Sequence, residues 1–503
     1  MRKWKWIHRW FSLVLGVFLL LWAFSGIILN HRELFSSIQI SRSILPAEYH
    51  FNNWNNASVR SALELENGKM FIYGAIGIWQ TDTTFEEFFP YMNGLPDGVD
   101  QARTMKLVKA GDGRIFAATQ SGLYALEAKS DYWTNIVQNI KDKRVVDLSI
   151  RKDTLFAMTR SEIFVYEIGE TIDLVKTVQL SNASSDDGKI GLFRTLWVIH
   201  SGEIFGLPGK LIVDFMALVL IFLIITGYIY FFFPRWIKNR RKQNFESKNH
   251  VKATKFSVKW HNKVGIWTVF FLLITVFTGM FLRPPLLIAI ANQRISKIPF
   301  TILNHSNSWH DRLRALVWDE SSKGWIIGTA DGLFRVDASF SSVPVQIEKT
   351  PPLSVMGINV LKATSEDDFL VGSFNGLFLW NPEKEVIIDY ITGEMPIQKS
   401  SAGSPLGQYL ITGMINQSGK EYIFEYNKGL LNHEIPMPEV LKQTPMPLWN
   451  LALEIHTTRI FQSLIGVFYI LIIPLFGLLT LLILLSGLVI WLRKSVSNRK
   501  KGI

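Results

Sequence analysis

The feature that most restricts this chain is that it is written twice. HRWFSLVLGVFLLLWAFSGIILN from His8 aligns with HNKVGIWTVFFLLITVFTGMFLR from His261, and in both a glycine follows the histidine by 18 residues, at Gly26 and Gly279. IHSGEIFG around His200 is matched by IHTTRIFQ around His456, each ahead of another apolar run that reaches a Thr-Gly or Ser-Gly pair at Gly227 and Gly487. Each half therefore reads as apolar run, long polar block, histidine, apolar run, and whatever fold serves one half must serve the other.

The four runs lie at about 10–30, 209–233, 264–283 and 464–492, long enough to cross a bilayer at 1.5 Å rise per residue and too apolar for a one-sided core helix. A hydrophobic share of 48% suits a mixture of membrane and soluble parts. RKWKWIHRW could open a signal peptide, but the run after it outlasts a secretory apolar region and no A-x-A-like site follows, so the expectation is a retained anchor.

Lysine and arginine set the orientation. Nineteen of them fall before the first run, between the second and third, and after the fourth, with Glu246 as the single acid; these pieces carry +18 in a chain of net +11. Both termini and the middle loop are thus expected on the cytoplasmic side. The expected segments are a first transmembrane helix (1–34), an outward block (35–195), an interfacial segment with the second helix (196–234), a basic cytoplasmic loop (235–262), a third helix (263–284), a second outward block (285–450), an interfacial segment with the fourth helix (451–494) and a cytoplasmic tail (495–503). The basic excess is explained by topology and contact with a lipid bilayer, and it gives no reason to invoke nucleic acid.

The outward blocks repeat internally. KMFIYGAIGIW, RIFAATQSGLYAL, TLFAMTRSEIFVY, GWIIGTADGLFRV and DFLVGSFNGLFLW share an apolar strand, a small residue, a short turn and an alternating strand, with Gly74, Ala118 and Met158, then Gly328 and Gly372, recurring every 40 to 44 residues. Hairpins at that spacing are what propeller blades show, and they resemble the short repeats of sensor domains. Three blades per half could complete one ring of about six or form two half-assemblies. The expected fold class is a mixed membrane protein: a four-helix transmembrane bundle built from an internal duplication, with an outward, periplasmic all-β propeller-like domain formed by two insertions.

The chain has no cysteine, which excludes disulfides, thiolate iron–sulfur ligation and covalent c-type haem attachment. Histidine is what remains. His8 and His261 fall at the cytoplasmic edge of their spans, His200 and His456 at the outer edge of theirs, and His31 follows span one on the outer side. Singly, each could be an interfacial ring touching headgroups. Packed about a pseudo-twofold axis, however, His8 approaches His261 and His200 approaches His456, and two facing imidazoles are the axial set of a b-type haem. Gly26 and Gly279 then lie at the outer level and Gly227 and Gly487 at the inner one, where they could seat a flat macrocycle or simply let helices approach.

Those four spans with their histidines, about 130 residues, resemble the PepSY-associated transmembrane helix family, which includes di-haem inner-membrane reductases of ferric siderophores. The resemblance implies haem ligation by His8, His200, His261 and His456, with two b haems as the cofactors, and a bacterial inner membrane. His31 matches less clearly, since its counterpart is Pro284; it could replace or assist an outer ligand. No PepSY domain is evident in the outward blocks, so the family's substrate does not simply carry across.

Asp214, inside the second span, could orient an outer ligand, relay a proton or reach headgroups. Arg459, three residues after His456, could pair with a haem propionate or a lipid phosphate. No nucleotide-binding loop or nucleophile elbow is present, and no catalytic residue is assigned. The expected function is electron transfer from quinol or a redox partner, through two haems, to a ferric chelate or periplasmic protein, with iron uptake the leading context. The alternative is a non-enzymatic sensor or assembly protein whose outward domain binds a ligand or partner.

Overall fold

In the computed structural model the described residues are 2–500 apart from 129, 137–142, 330, 355–356, 366, 397–406 and 418; the end of the basic tail, 501–503, lies outside them. The chain divides into two compact units, one of residues 1–35, 188–305 and 448–503, the other of 36–187 and 306–447.

The first unit is helical. Its long helices are α1 (Arg2–Asn30), α3 (Gly206–Lys242), α4 (Lys248–Met280) and α6 (Ile472–Lys500), with the short α2 (Leu192–Ser201) before α3 and α5 (Leu448–His456) before the final span. Among them are four stretches long and apolar enough to cross a membrane: Arg2–Asn30, Glu203–Lys242, Lys248–Met280 and Arg459–Ser497. α1 packs on α3 and α6, and α4 packs on the same two, so α1 and α4 occupy one diagonal and α3 and α6 the other. α2 lies against α4, and α5 against α1. Apolar side chains also cover the outside, with Val14, Leu218, Trp267 and Phe270 more than half exposed, the pattern of helices solvated by hydrocarbon.

Two details depart from the sequence reading. The basic segment 235–262, expected as a cytoplasmic loop, is mostly helical: α3 runs on to Lys242 and α4 begins at Lys248, with 243–247 as the connection, because lysine and arginine are good helix formers. The fourth span starts as short 3-10 and helical turns from Arg459 and becomes a regular helix only at Ile472.

Between α2 and α3 the chain must reverse sharply. Gly202, at φ +77°, ends α2, and a Cβ there would lie 2.2 Å from the carbonyl oxygen of Gly209, so only glycine permits the approach. The second half makes the equivalent turn with Thr458 at φ +60°, an uncommon conformation for a β-branched residue, its hydroxyl donating to the carbonyl of Tyr469 at 3.3 Å.

The second unit is mainly β: among the described residues it has, besides a two-stranded pair of Gln39–Ile40 with Met446–Pro447, six larger antiparallel sheets, five of four strands and one of three. Their first strands are β1 (Ser61–Glu64), β2 (Thr104–Lys109), β3 (Val145–Arg151), β4 (Leu313–Asp319), β5 (Ile358–Ala363) and β6 (Ile411–Gln417). β1 lies against β2, β2 against β3, β3 against β4, β4 against β5, β5 against β6, and β6 against β1. The repeated small residue has a local cause. A Cβ on Gly328 would sit 2.5 Å from Ile358 Cδ1, and one on Gly372 would sit 2.9 Å from Val360 Cβ, so each leaves room for a side chain of β5.

The two insertions thus fold as one unit, not as two. Val146, Met158 and Ile163 from the first share a core with Trp309, Trp325 and Phe334 from the second, and Asp147 Oδ2 accepts the Leu316 N–H at 2.8 Å. At the other seam Trp54 and Ile72 pack with Ile415 and Phe424, while the Met414 N–H donates to the Arg60 carbonyl at 2.9 Å.

Candidate functional site

The helical unit brings the four duplicated histidines into two pairs. The His8 and His261 rings, from α1 and α4, have centroids 6.1 Å apart with planes at 87°. Those of His200 and His456, from α2 and α5, are 6.0 Å apart with planes at 57°.

Each ring is held by its Nδ1. His8 Nδ1 lies 3.0 Å from the Ile483 carbonyl, and His200 Nδ1 lies 2.9 Å from the Thr275 carbonyl; a carbonyl only accepts, so both nitrogens carry the proton. His261 Nδ1 is 3.0 Å from Thr226 Oγ1 and His456 Nδ1 is 3.0 Å from Ser25 Oγ. These hydroxyls already donate within their own helices, Thr226 to the Phe222 carbonyl at 2.8 Å and Ser25 to the Leu21 carbonyl at 2.7 Å. They are therefore left to accept from imidazole. In all four rings the proton belongs on Nδ1 and the lone pair on Nε2, the tautomer that ligates a metal.

The glycines stand where the sequence alignment puts them, each against one of these rings. A Cβ on Gly487 would lie 3.1 Å from His8 Cε1, on Gly227 3.6 Å from His261 Cε1, on Gly279 2.6 Å from His200 Cε1, and on Gly26 3.4 Å from His456 Cε1. The residue before each glycine matters as much. Ser25, Thr226, Thr278 and Ser486 are all buried; three reach a histidine Nδ1 directly, Ser486 from 3.2 Å, and Thr278 shares the Thr275 carbonyl with His200. In the sequence the glycines stand out through the duplication, whereas these hydroxyls are marked only by the recurring Ser-Gly or Thr-Gly dipeptide.

The chemistry open to each pair follows from its size. Two metal–nitrogen bonds of about 2 Å, each with roughly 1 Å more to the ring centre, set centroids about 6 Å apart. Both pairs match that span. Among the described residues no three His, Cys, Asp or Glu side chains form a metal-binding group, so each pair offers two nitrogens and no further side-chain ligand of those types.

The remaining expected residues lie nearby. His31 Nε2 faces Asp214 Oδ2 at 2.5 Å, and Asp214 Oδ1 accepts from Asn30 Nδ2 at 2.8 Å. Asn30 also donates to the Ser201 carbonyl at 3.2 Å, the residue after His200. Arg459 pairs with Glu454, two residues before His456. Asn30 has no mark in the sequence because its partners lie 171 and 184 residues along the chain; Glu454 is only five residues from Arg459, a spacing that carries no motif.

No curated protein matches the chain by sequence. Among solved structures it is similar to the extracellular domain of a one-component system from B. thetaiotaomicron, at 12% identity and TM-score 0.34 over 78% of this chain and 39% of that one. It is also similar to PorZ, a surface component of the type-IX secretion system of Porphyromonas gingivalis, at 10% identity and TM-score 0.34 over 74% and 37%. The chain thus spans about two fifths of the length of these structures. The PepSY-associated TM region matches residues 5–494. Spanning nearly the whole chain, that match makes this membrane protein a member of the PepSY-associated TM region family.

Proposed function

We propose that this protein carries electrons across the bilayer through two b-type haems, one held between His8 and His261 and the other between His200 and His456. The observation that supports it is the geometry of the pairs: ring centroids 6.1 and 6.0 Å apart, with every Nδ1 engaged by a carbonyl or hydroxyl oxygen. A haem, which needs only two ligands from the protein, would be held by the two imidazoles of each pair. When bound, each haem supplies a one-electron carrier.

The chain's own residues do the rest. Hydrogen bonds at Nδ1 fix each ring's rotation and raise the basicity of Nε2. Gly26, Gly227, Gly279 and Gly487 let each imidazole edge approach a neighbouring helix. Gly26, beside His456, is 18 residues beyond His8, about 27 Å along the helix, which puts the pairs near opposite faces of a hydrocarbon core about 30 Å thick. In this reading the His8–His261 pair is the inner one, in a bacterial inner membrane with both termini cytoplasmic. Quinol or a redox protein is the donor and a ferric chelate the leading acceptor. The six sheets act as blades of one periplasmic propeller that offers a docking surface.

Purified full-length protein should show a Soret band and dithionite-reduced α-bands of b haem at two per chain. His200→Ala and His456→Ala should each abolish the same haem, and His8→Ala and His261→Ala the other. Protein without a Soret band overturns the reading and leaves a membrane sensor or assembly role.

A further inference from the structure

Asp214 is the one acidic residue in the four long helices, and it does not face lipid. Its two oxygens are taken by His31 at 2.5 Å and Asn30 at 2.8 Å, and its side chain is 13% exposed against 20% for His31. An intramembrane carboxylate is costly unless it is paired, and a paired one commonly marks a proton path. The duplication supplies an internal control. The second half has Pro284 where the first has His31, and Ile470 fourteen residues after His456 where the first has Asp214 fourteen after His200. In that half Ile470 lies in the 3-10 stretch Gly466–Leu471 and Pro284 beyond the end of α4 at Met280, while the Ser/Thr–Gly dipeptide and the histidine pairing are kept, so the His–Asp pair belongs to the first half alone and the second half's histidines are paired without one.

The location is specific. Asn30 is four residues beyond Gly26, which lies against His456, about 6 Å along α1. Its amide also bonds the carbonyl next to His200. Asp214, by contrast, is thirteen residues before Gly227, the glycine against His261, about 20 Å along α3. An added charge at the His200–His456 pair is therefore felt strongly by His31–Asp214, whereas one at the other pair is felt weakly, since Coulomb interaction falls with distance and is least screened in a low-dielectric interior.

Building on the two-haem reading above, we propose that His31 and Asp214 form a proton-binding site coupled to the outer histidine pair alone, taking up one proton as one electron arrives there. The balance is one electron from the quinol-class donor and one proton from the outer aqueous side, which leaves the local net charge unchanged; on reoxidation both depart. Asn30 positions the carboxylate and links it to the backbone beside His200. The other charged or titratable groups on the elements packed here are Arg32 and Glu33 following α1, Arg194 and His200 on α2, Glu203 and Lys210 at the start of α3, Arg283 after α4, and Glu454, His456 and Arg459 around the end of α5. Several are engaged in their own contacts: Arg32 lies over the Trp449 ring, Lys210 is 3.8 Å from Glu203, and Arg459 pairs with Glu454.

The test is a spectroelectrochemical titration of the full-length protein in lipid nanodiscs at several values between pH 5.5 and 8.5, with the outer haem assigned by its loss in His200→Ala. The outer midpoint potential should fall as pH rises, approaching the ~59 mV per tenfold change in proton activity of one-proton, one-electron linkage, while the inner one stays flat. Asp214→Asn, nearly isosteric, and His31→Gln should each flatten the outer slope with both Soret components retained. A pH-independent outer potential in the unsubstituted protein, or a slope that survives both substitutions, overturns the proposal and leaves the two-haem reading intact. Protein that binds no haem overturns both.

Discussion

A methyl group at position 279 would lie 2.6 Å from Cε1 of His200, whereas one at position 227 would lie 3.6 Å from Cε1 of His261. The first distance is a clash with a ring already tied to the Thr275 carbonyl; the second is ordinary contact. If the pairs hold haem as proposed, Gly279→Ala should displace His200 and cost the haem of the His200–His456 pair, and Gly227→Ala should leave both in place. A pyridine haemochrome assay reading about one haem per chain for the first and two for the second checks this. Equal loss in both would mean that helix packing, not the imidazole edge, is what these glycines serve.

At the scale of elements, the seam between the third and fourth sheets is where the two insertions become one body. Trp325 is 0% exposed there, stacked on Phe340 with ring centroids 5.5 Å apart and in contact with Phe156 from the other insertion at 4.7 Å. Removing such a side chain costs about 3–5 kcal/mol through lost burial and the cavity left behind. Trp325→Ala should lower the thermal midpoint of the β unit in the full-length protein by several degrees, read by near-ultraviolet circular dichroism, while Soret absorbance at ambient temperature is retained. An unchanged midpoint would show that the seam contributes little. The repeated hairpins that announce the sheets in the sequence are thus individually simple, and their cooperation depends on contacts between residues more than 140 positions apart.

Over the whole molecule, charge and hydropathy act together. The two ends of the chain and the segment between the second and third spans together carry +18, and the remainder carries −7, an asymmetry that predicts these three pieces on the cytoplasmic side. Green fluorescent protein fused after Ile503 should fluoresce, and alkaline phosphatase spliced into the first insertion after Ser184 should be active in whole bacterial cells. The reverse pattern would invert the topology and move the His200–His456 pair to the cytoplasmic side.

By itself the sequence determined the duplication, the four apolar runs, the hairpin repeats and the four histidines with their glycines, because each is a local or periodic pattern that one-dimensional spacing preserves. It also determined the levels, since 18 residues of helix have a fixed length. Only the tertiary structure decided which ring faces which, because His8 and His261 are separated by a whole insertion and meet across a diagonal of the bundle. It decided that Ser25 and Thr226 accept from imidazole, since a hydroxyl's partner depends on the helix packed against it. It joined both insertions in one unit, a choice the repeats left open because each blade-like hairpin is the same whichever neighbour it meets. And it gave Asp214 to His31 and Asn30: a largely buried carboxylate needs polar partners, and these lie 183 and 184 residues away along the chain.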